Sequence, residues 1–226
     1  MINFFGKIYD NRRSDSLAAS LRRKRFALFK SLLVKTSGFV RILDVGGTQK
    51  FWELSGFLSE LENIEITIMN IRPMEVSLPK LKSTVGNGTN MSQFKDGEFD
   101  IVFSNSVIEH VGNYDAQMQM ASEVKRVGKR YFIQTPNLYF PIEPHFVFPF
   151  FQFLPLQLKL LLIRHFRLGW RGPIKDKIKA IQTVNEVRLL SKKEFINLFP
   201  NAKIFEEKFA GLTKSFIAYE GWDNPT

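Results

Sequence analysis

The fold class this sequence predicts is α/β: a doubly wound, mostly parallel sheet whose last edge is an antiparallel pair. Three observations predict it. Short apolar runs alternate with stretches of helical composition through most of the chain. The first run, "VRILDV" (40–45), ends at a glycine pair, as a buried strand does when it turns into a helix. The last two runs are separated only by "AGLT", too short for a helical crossover, so they pair antiparallel.

Taken in order, the elements have physical signals. Residues 1–37 read as a basic helical segment. From Ser16 to Lys35 the leucines Leu17, Leu21, Leu28 and Leu32 share a face, and "RRKR" occupies 22–25. The opening "MINFFGKIYDNRRSDS" has no apolar core flanked by a cleavage site, so a cytoplasmic protein is expected, with peripheral attachment at the inner face of a membrane as its one extension. Strands follow at 40–45, 64–71, 83–88, 99–106 and 130–137. After the fourth, Met120, Val124 and Val127 form one stripe of a helix, with Lys125 and Arg126 in its last turn and Gly128 just past it. Ser191 and Glu194 have the spacing of a capping box. The strands 203–209 and 214–220 close the sheet.

Composition narrows the function. A chain of 226 residues, 44% hydrophobic and 24% charged, reads as one globular domain over 1–226. There is no cysteine, which excludes disulfides and thiolate metal sites. His110, His145 and His165 are too few and too scattered in sequence to suggest zinc, so no metal is expected. The formal charge of +10 calls for an anionic partner: nucleic acid, a phospholipid surface or a phosphorylated substrate.

Gly46 and Gly47 lie at the carboxyl end of the first strand, where open α/β sheets hold ligands. A glycine pair alone reads more simply as a strand-to-helix turn. "GGTQKF" lacks G-x-G-x-x-G, which argues against a hydride-transfer dinucleotide. The order "ILDVGG", "GEFDIVFSNSVIEHV", "RYFIQTPN" resembles the class I S-adenosylmethionine-dependent methyltransferases, and among them the small bacterial ubiquinone/menaquinone-methyltransferase-like type, over about residues 38–220. The resemblance implies a Rossmann-like, seven-stranded sheet and S-adenosylmethionine as cofactor. Asp44 matches the acidic residue that orients the glycine loop and reaches the methionine ammonium through water. Gly46 matches the first of three alternating glycines, while Thr48 and Lys50 occupy the later positions and Gly47 supplies flexibility. Asn70 stands where the family carries the carboxylate that binds the ribose hydroxyls, and Asn87, followed by Gly88 and Thr89, where it contacts adenine. Met91 is placed against the adenine face, and Ser104 and Asn105 beside the methionine moiety. The alternative for Asn70 and Asn87 is that they are turn residues at strand ends.

The stretch 138–180 reads as an apolar and basic insertion on the acceptor side. Pro141 and Pro144 hold "PIEPH" extended, so Glu143 and His145 point the same way. A carboxylate beside an imidazole suits a general base for a hydroxyl acceptor; the alternative is that Glu143 caps a helix and His145 is a structural hydrogen-bond donor. His110 is the second candidate base, and the resemblance places it near the cofactor. The apolar run 146–163, followed by Arg164, Arg167, Arg171, Lys175, Lys177 and Lys179, suits contact with anionic lipid, or else a lid or dimer surface. Within the resemblance, "TPN…FPIEPH" implies a cell-surface sugar or glycolipid acceptor. The leading expectation is O-methylation of a small or lipid-linked acceptor. C-methylation of a quinone-like lipid is the alternative, and a non-catalytic basic membrane or RNA adaptor is a third. "SNSVIEH" is not the Asn-Pro-Pro-Tyr/Phe type that grips a base amine, which argues against nucleic acid.

Overall fold

The computed structural model describes residues 17–222 apart from 35, 37, 57 and 59–62, and only the backbone of 17–19. Ser16 and the segment before it, and the side chain of Leu17, lie outside the described residues.

Helix α1 (Leu17–Leu33) leads into β1 (Val40–Val45), the short α2 (Gln49–Glu53), β2 (Ile64–Asn70), β3 (Leu81–Val85) and β4 (Ile101–Asn105). A 3₁₀ turn, Ile108–His110, precedes α3 (Tyr114–Val127) and β5 (Tyr131–Pro136). A two-residue hairpin, β6 (Ile142–Glu143) and β7 (Phe148–Pro149), is followed by α4 (Leu156–His165) and α5 (Lys177–Asn185). Helix α6 (Lys192–Leu198), β8 (Lys203–Phe209) and β9 (Leu212–Glu220) complete the order.

The seven main strands lie in the order β3-β2-β1-β4-β5-β9-β8. The first five are parallel, and β9 inserts antiparallel between β5 and β8. The β8–β9 turn is two residues, Ala210 and Gly211, both at positive φ, which matches the twist of a tight hairpin. The order reverses between β1 and β4, and that crevice is the ligand position of an open α/β sheet.

The sheet is covered on both faces. One face packs on α3 and α6 through Met120, Val124, Val127 and Phe195, all 0% exposed. The other packs on α1 and α2. Of the leucine stripe expected on α1, Leu21 and Leu32 are buried and Leu28 partly so, and Phe26 and Phe29 add the bulk of the interface, Phe29 tilted on Phe103 and Phe132 at 4.9 and 5.1 Å. Burying one such phenyl contributes about 2–3 kcal/mol. The capping box of Ser191 and Glu194 is formed. Gly128 follows α3 in an extended conformation and not a left-handed one. Its glycine is a matter of room, because a Cβ would stand 2.6 Å from Val102.

Two strand ends fall short of the apolar runs. β2 stops at Asn70, leaving Ile71 exposed, and β3 stops at Val85, after which Asn87 and Asn90 pair across a tight turn. The insertion after β5 has its own small core of Phe146, Phe151, Ile163, Leu168 and Ala180. That core reaches Val184 in α5, a little past the expected boundary at 180. Among the described residues no helix is long and apolar enough to cross a membrane.

Candidate active site

The turn after β1 is built around a buried carboxylate. Asp44 is 1% exposed, and Trp52 of α2 donates its indole N–H to Asp44 Oδ2 at 2.6 Å. Burial pushes the Asp44 carboxyl up to about 7, with the indole hydrogen bond opposing it. Gly46 has φ +77°, a left-handed value that favours glycine, and a Cβ there would stand 2.6 Å from Val107. Gly47 has no such dihedral. A Cβ on it would lie 1.6 Å from Asp44 Oδ2, so Gly47 supplies room for the carboxylate and not flexibility. Asp44 therefore shapes the loop from beneath, and its side chain faces Trp52, not the crevice. Thr48 caps α2, accepting from Phe51 N.

At the end of β2, Asn70 donates to Gly47 O at 3.3 Å and accepts from Ile71 N at 2.8 Å, tying the two strand ends together. Asn87 accepts from the N–H and the hydroxyl of Thr89, a local turn arrangement. Gly88 is buried against Val45 and Met120. Met91 is 0% exposed within the core and presents no surface to a ligand. Ser104 is equally buried, its hydroxyl donating to Val45 O at 3.1 Å. Asn105, the last residue of β4, and Ser106 just past it are the polar groups that reach the crevice. Ser106 is held at φ 56° by bonds from its N–H and hydroxyl to Gln134.

A cavity of about 520 Å³ opens here, from Thr48 and Lys50 past Asn105 and Ser106 to His145. Arg25 of α1 reaches into it, donating to Asn105 Oδ1 and, through Nε and Nη2, to both oxygens of the buried Glu207 at 3.1 and 2.6 Å. Ser215 donates to the same Glu207. The sequence names "RRKR" without a role for it. Its three-residue spacing is the signal that places Arg22 and Arg25 on one helical face, and both line the cavity.

On the far wall the structure brings the candidate bases together. His145 Nδ1–H donates to Glu143 Oε1 at 2.7 Å, and the backbone N–H groups of His145 and Phe146 both donate to Glu143 Oε2 at 2.7 Å. The approach of the two side chains does not come from extended backbone, as expected. Residues 144–147 form a turn closed by Val147 N to Glu143 O at 2.8 Å, and the carboxylate, 2% exposed, caps that turn. His145 Nε2 stands 3.1 Å from His110 Nε2, with the rings edge to face. His110 Nδ1 lies 3.3 Å from Glu186 O.

Proton positions follow from these partners. A carboxylate and a carbonyl only accept, so both Nδ1 atoms carry hydrogen. Two Nε2 lone pairs would then face each other, and the contact needs one proton between them. The shifts agree. Burial opposes charge on His145, yet its hydrogen bond to Glu143, then the charges of Glu143 and Glu109, hold its pKa above the ordinary histidine value. Burial and the charge of His145 hold His110 below that value. The pair thus holds a proton on His145 and hands it towards His110.

Glu109, 0% exposed, lies under this pair. One oxygen accepts from Thr135 and the other has no hydrogen-bond partner. Burial pushes it up to about 7, and the charge of His145 opposes the shift. Donor atoms of Glu109, His110 and His145 lie within 4.8 Å of one another. The scatter of histidines expected from sequence therefore does not hold for these two, whereas His165 sits apart at the end of α4. Two imidazoles and a carboxylate could also hold a metal ion, using the lone pairs the hydrogen bond now occupies.

Residues 55–131 match a family model described as a methyltransferase domain. Two uncharacterised proteins of Mycobacterium tuberculosis, from strains CDC 1551 and H37Rv, are each 31% identical over 118 residues. The match covers 52% of this chain and 36% of each relative, so it spans about a third of their length. Among solved structures, the CurJ carbon methyltransferase superposes with TM-score 0.57 at 10% identity, over 91% of this chain and 55% of that one. A SAM-dependent methyltransferase from Aquifex aeolicus superposes at 0.51 and 14% identity, over 97% of both chains. The N-terminal domain of EvdMO1, solved with SAH and D-fucose, superposes at 0.51 and 12% identity, over 88% of this chain and 81% of that one. At these identities the likeness is one of fold.

Proposed function

We propose that this chain is a class I S-adenosylmethionine-dependent methyltransferase that methylates a hydroxyl group of a sugar-like or lipid-linked acceptor, with His145 as the general base. The observation that carries the reading is the Glu143–His145–His110 chain opening on the cavity beside the end of β4.

The strand ends fit the cofactor. Thr48, Lys50, Asn105 and Ser106 border the cavity with donors suited to an amino acid carboxylate. Asn70 Oδ1 makes one bond and keeps a second lone pair for a hydroxyl. Bound there, S-adenosylmethionine supplies an electrophilic sulfonium methyl. The chain's own residues supply the proton chemistry. Glu143 fixes the His145 ring so that Nε2 is the basic nitrogen. His145 Nε2 accepts the acceptor's hydroxyl proton once its resident proton has been lost and the acceptor hydroxyl takes the place of His110 on its one lone pair. Such a base contributes about 10²–10⁴-fold. Because His145 is held above the ordinary histidine pKa, its base form appears at higher pH than a free histidine's, and turnover should rise with pH with a midpoint above the ordinary histidine value.

The exposed apolar residues and the basic flank of the insertion support contact with anionic lipid, in keeping with a lipid-linked acceptor. The test is to incubate the protein with methyl-labelled S-adenosylmethionine and separated membrane and soluble extracts of the source cells. Label in an alkali-stable methyl ether supports the reading. Label confined to carbon or to nucleic acid would overturn it.

A further inference from the structure

The cavity is built for more negative charge than the cofactor brings. Its described lining includes Arg22, Arg25, Lys50, Arg171 and Lys214, and no Asp or Glu. These cations come from α1, α2, the segment after α4, and β9, so they surround the space from several sides. Arg25 is committed to Glu207 and Asn105, and Arg171 pairs with Glu186 at 3.4 Å on the exposed side. One further cation answers the single carboxylate of S-adenosylmethionine, which leaves the wall still strongly positive. Cations converging from separate elements, with no acidic side chain in the described lining, give the space a positive potential that favours an anion. Burial, then the nearby Arg25 charge, brings Lys214 down to about 8, as a lysine inside such a field should be. Trp170, at the cavity rim and 38% exposed, offers a flat aromatic face beside Arg171.

We propose that the acceptor carries a diphosphate, and that Arg22, Arg171 and Lys214 bind it while the hydroxyl to be methylated faces His145. This rests on the methyltransferase reading above and specifies its substrate class. A carboxylate is planar and carries one charge. A diphosphate carries two or more and offers oxygens in several directions, which matches cations converging from separate elements. The chemistry is shared by a nucleoside diphosphate sugar, whose base could stack on Trp170, and a lipid diphosphate sugar, which could enter from the apolar face of the insertion. The "RRKR" segment thereby divides. Arg22 and Arg25 face the cavity, whereas Arg23 and Lys24 are exposed.

The test is calorimetric titration of the whole chain, saturated with S-adenosylhomocysteine, at fixed ionic strength. Inorganic pyrophosphate and UDP are the soluble probes. Phosphatidylcholine vesicles with and without a polyprenyl diphosphate are the lipid probe, read by sedimentation. Pyrophosphate should bind, and Arg22→Gln and Lys214→Gln should each weaken it by about 10- to 100-fold. Arg22→Lys, which keeps the charge, should recover much of the loss. Lys24→Gln removes the same charge from the exposed side of α1 and should change little. Tighter binding of UDP than pyrophosphate assigns the nucleotide source, and sedimentation only with diphosphate-bearing vesicles assigns the lipid source. Absence of pyrophosphate binding to protein that holds S-adenosylhomocysteine would overturn the proposal alone. So would an equal loss in Lys24→Gln, which would mean a diffuse field. Failure to bind S-adenosylhomocysteine would remove the reading beneath it as well.

Discussion

Glu143→Gln is the sharpest probe of the site, because the geometry dictates where each amide atom must go. Two backbone N–H groups, of His145 and Phe146, point at Oε2 at 2.7 Å, and both can only donate. The Gln carbonyl oxygen must take that position to keep the turn. Its NH₂ group then occupies the Oε1 position, 2.7 Å from His145 Nδ1. A donor there forces Nδ1 to accept, so the ring carries its hydrogen on Nε2, the nitrogen required to be basic. The fold should survive, since all three contacts persist as neutral hydrogen bonds, at a cost of about 1–2 kcal/mol. Catalysis should not survive, because the base is held in the wrong tautomer, as in serine proteases when the triad aspartate becomes asparagine. Turnover should fall by about 10²–10⁴, as far as in His145→Ala, and raising the pH should not restore it. Long-range ¹H–¹⁵N spectra of histidine-labelled protein read the tautomer directly and need no acceptor. At a pH above the raised His145 pKa they should show hydrogen on Nδ1 alone of His145 in the wild type and on Nε2 in the variant. An unchanged tautomer, or turnover within tenfold of wild type, would refute the reasoning.

The remaining expectations concern the glycine turn and the exposed face. Asp44 is an acid whose folded-state pKa is raised from 3.8 to about 7, so its contribution to stability is present below pH 3.8 and lost as pH rises through about 7. Asp44→Asn keeps an acceptor for Trp52 and removes that loss. It should gain stability over wild type at pH 8 relative to pH 4, by up to about 4 kcal/mol, and urea midpoints at the two pH values that move in parallel would contradict this. Gly47→Ala should lower stability by about 2–4 kcal/mol, because its Cβ must displace the Asp44 carboxylate and orphan the Trp52 N–H. An unchanged urea midpoint would show that the carboxylate has somewhere else to go. On the insertion, Phe150, Leu161 and Phe166 are 54, 53 and 52% exposed beside the basic segment 164–179. The protein should therefore sediment with anionic vesicles at low salt, less so as salt is raised, and Phe150→Gly should weaken sedimentation without lowering stability. No sedimentation at low salt would favour a lid or dimer surface.

The fold was legible because its signals are local and redundant. Apolar runs, a capping box at Ser191 and a four-residue gap before the last strand each name one element. Alternation with helices then leaves one sheet class. The site was legible only where one short stretch holds both partners, as in Glu143 and His145. The pairing of His110 with His145 spans 35 positions and follows from the turn at 144–147, whose cause is a carboxylate capping backbone N–H groups. No periodicity reports such a contact. Asp44 shows the converse. Its place in the glycine motif was readable, but its orientation was fixed by Trp52, eight residues on, and by the room that Gly47 leaves. Arg25 was hidden for a third reason: its partners Asn105 and Glu207 lie 80 and 182 positions away.

Backbone strain points to the same region as the side chains. Among the described non-glycine residues, Ser106, Val147, Phe150 and Ala210 have positive φ. Ala210 is accounted for by its hairpin, where two such residues are what the turn requires. The other three have no such local reason, and a left-handed conformation costs each roughly 1–2 kcal/mol. Ser106 follows β4 at the cavity, Val147 closes the turn that Glu143 caps, and Phe150 is the exposed tip beyond the β6–β7 hairpin. Strain of this kind persists where surrounding bonds over-determine it, and each position is held so. Gln134 fixes Ser106 through two bonds, Val147 N–H reaches Glu143 O, and Phe150 N–H reaches Pro141 O at 2.7 Å. The strained residues therefore trace one path from the end of β4, past the base, to the apolar tip of the insertion. A chain that only needed to fold could have relaxed all three with glycine. That it holds a serine, a valine and a phenylalanine there is what a cavity floor, a rigid base-bearing turn and an outward aromatic require.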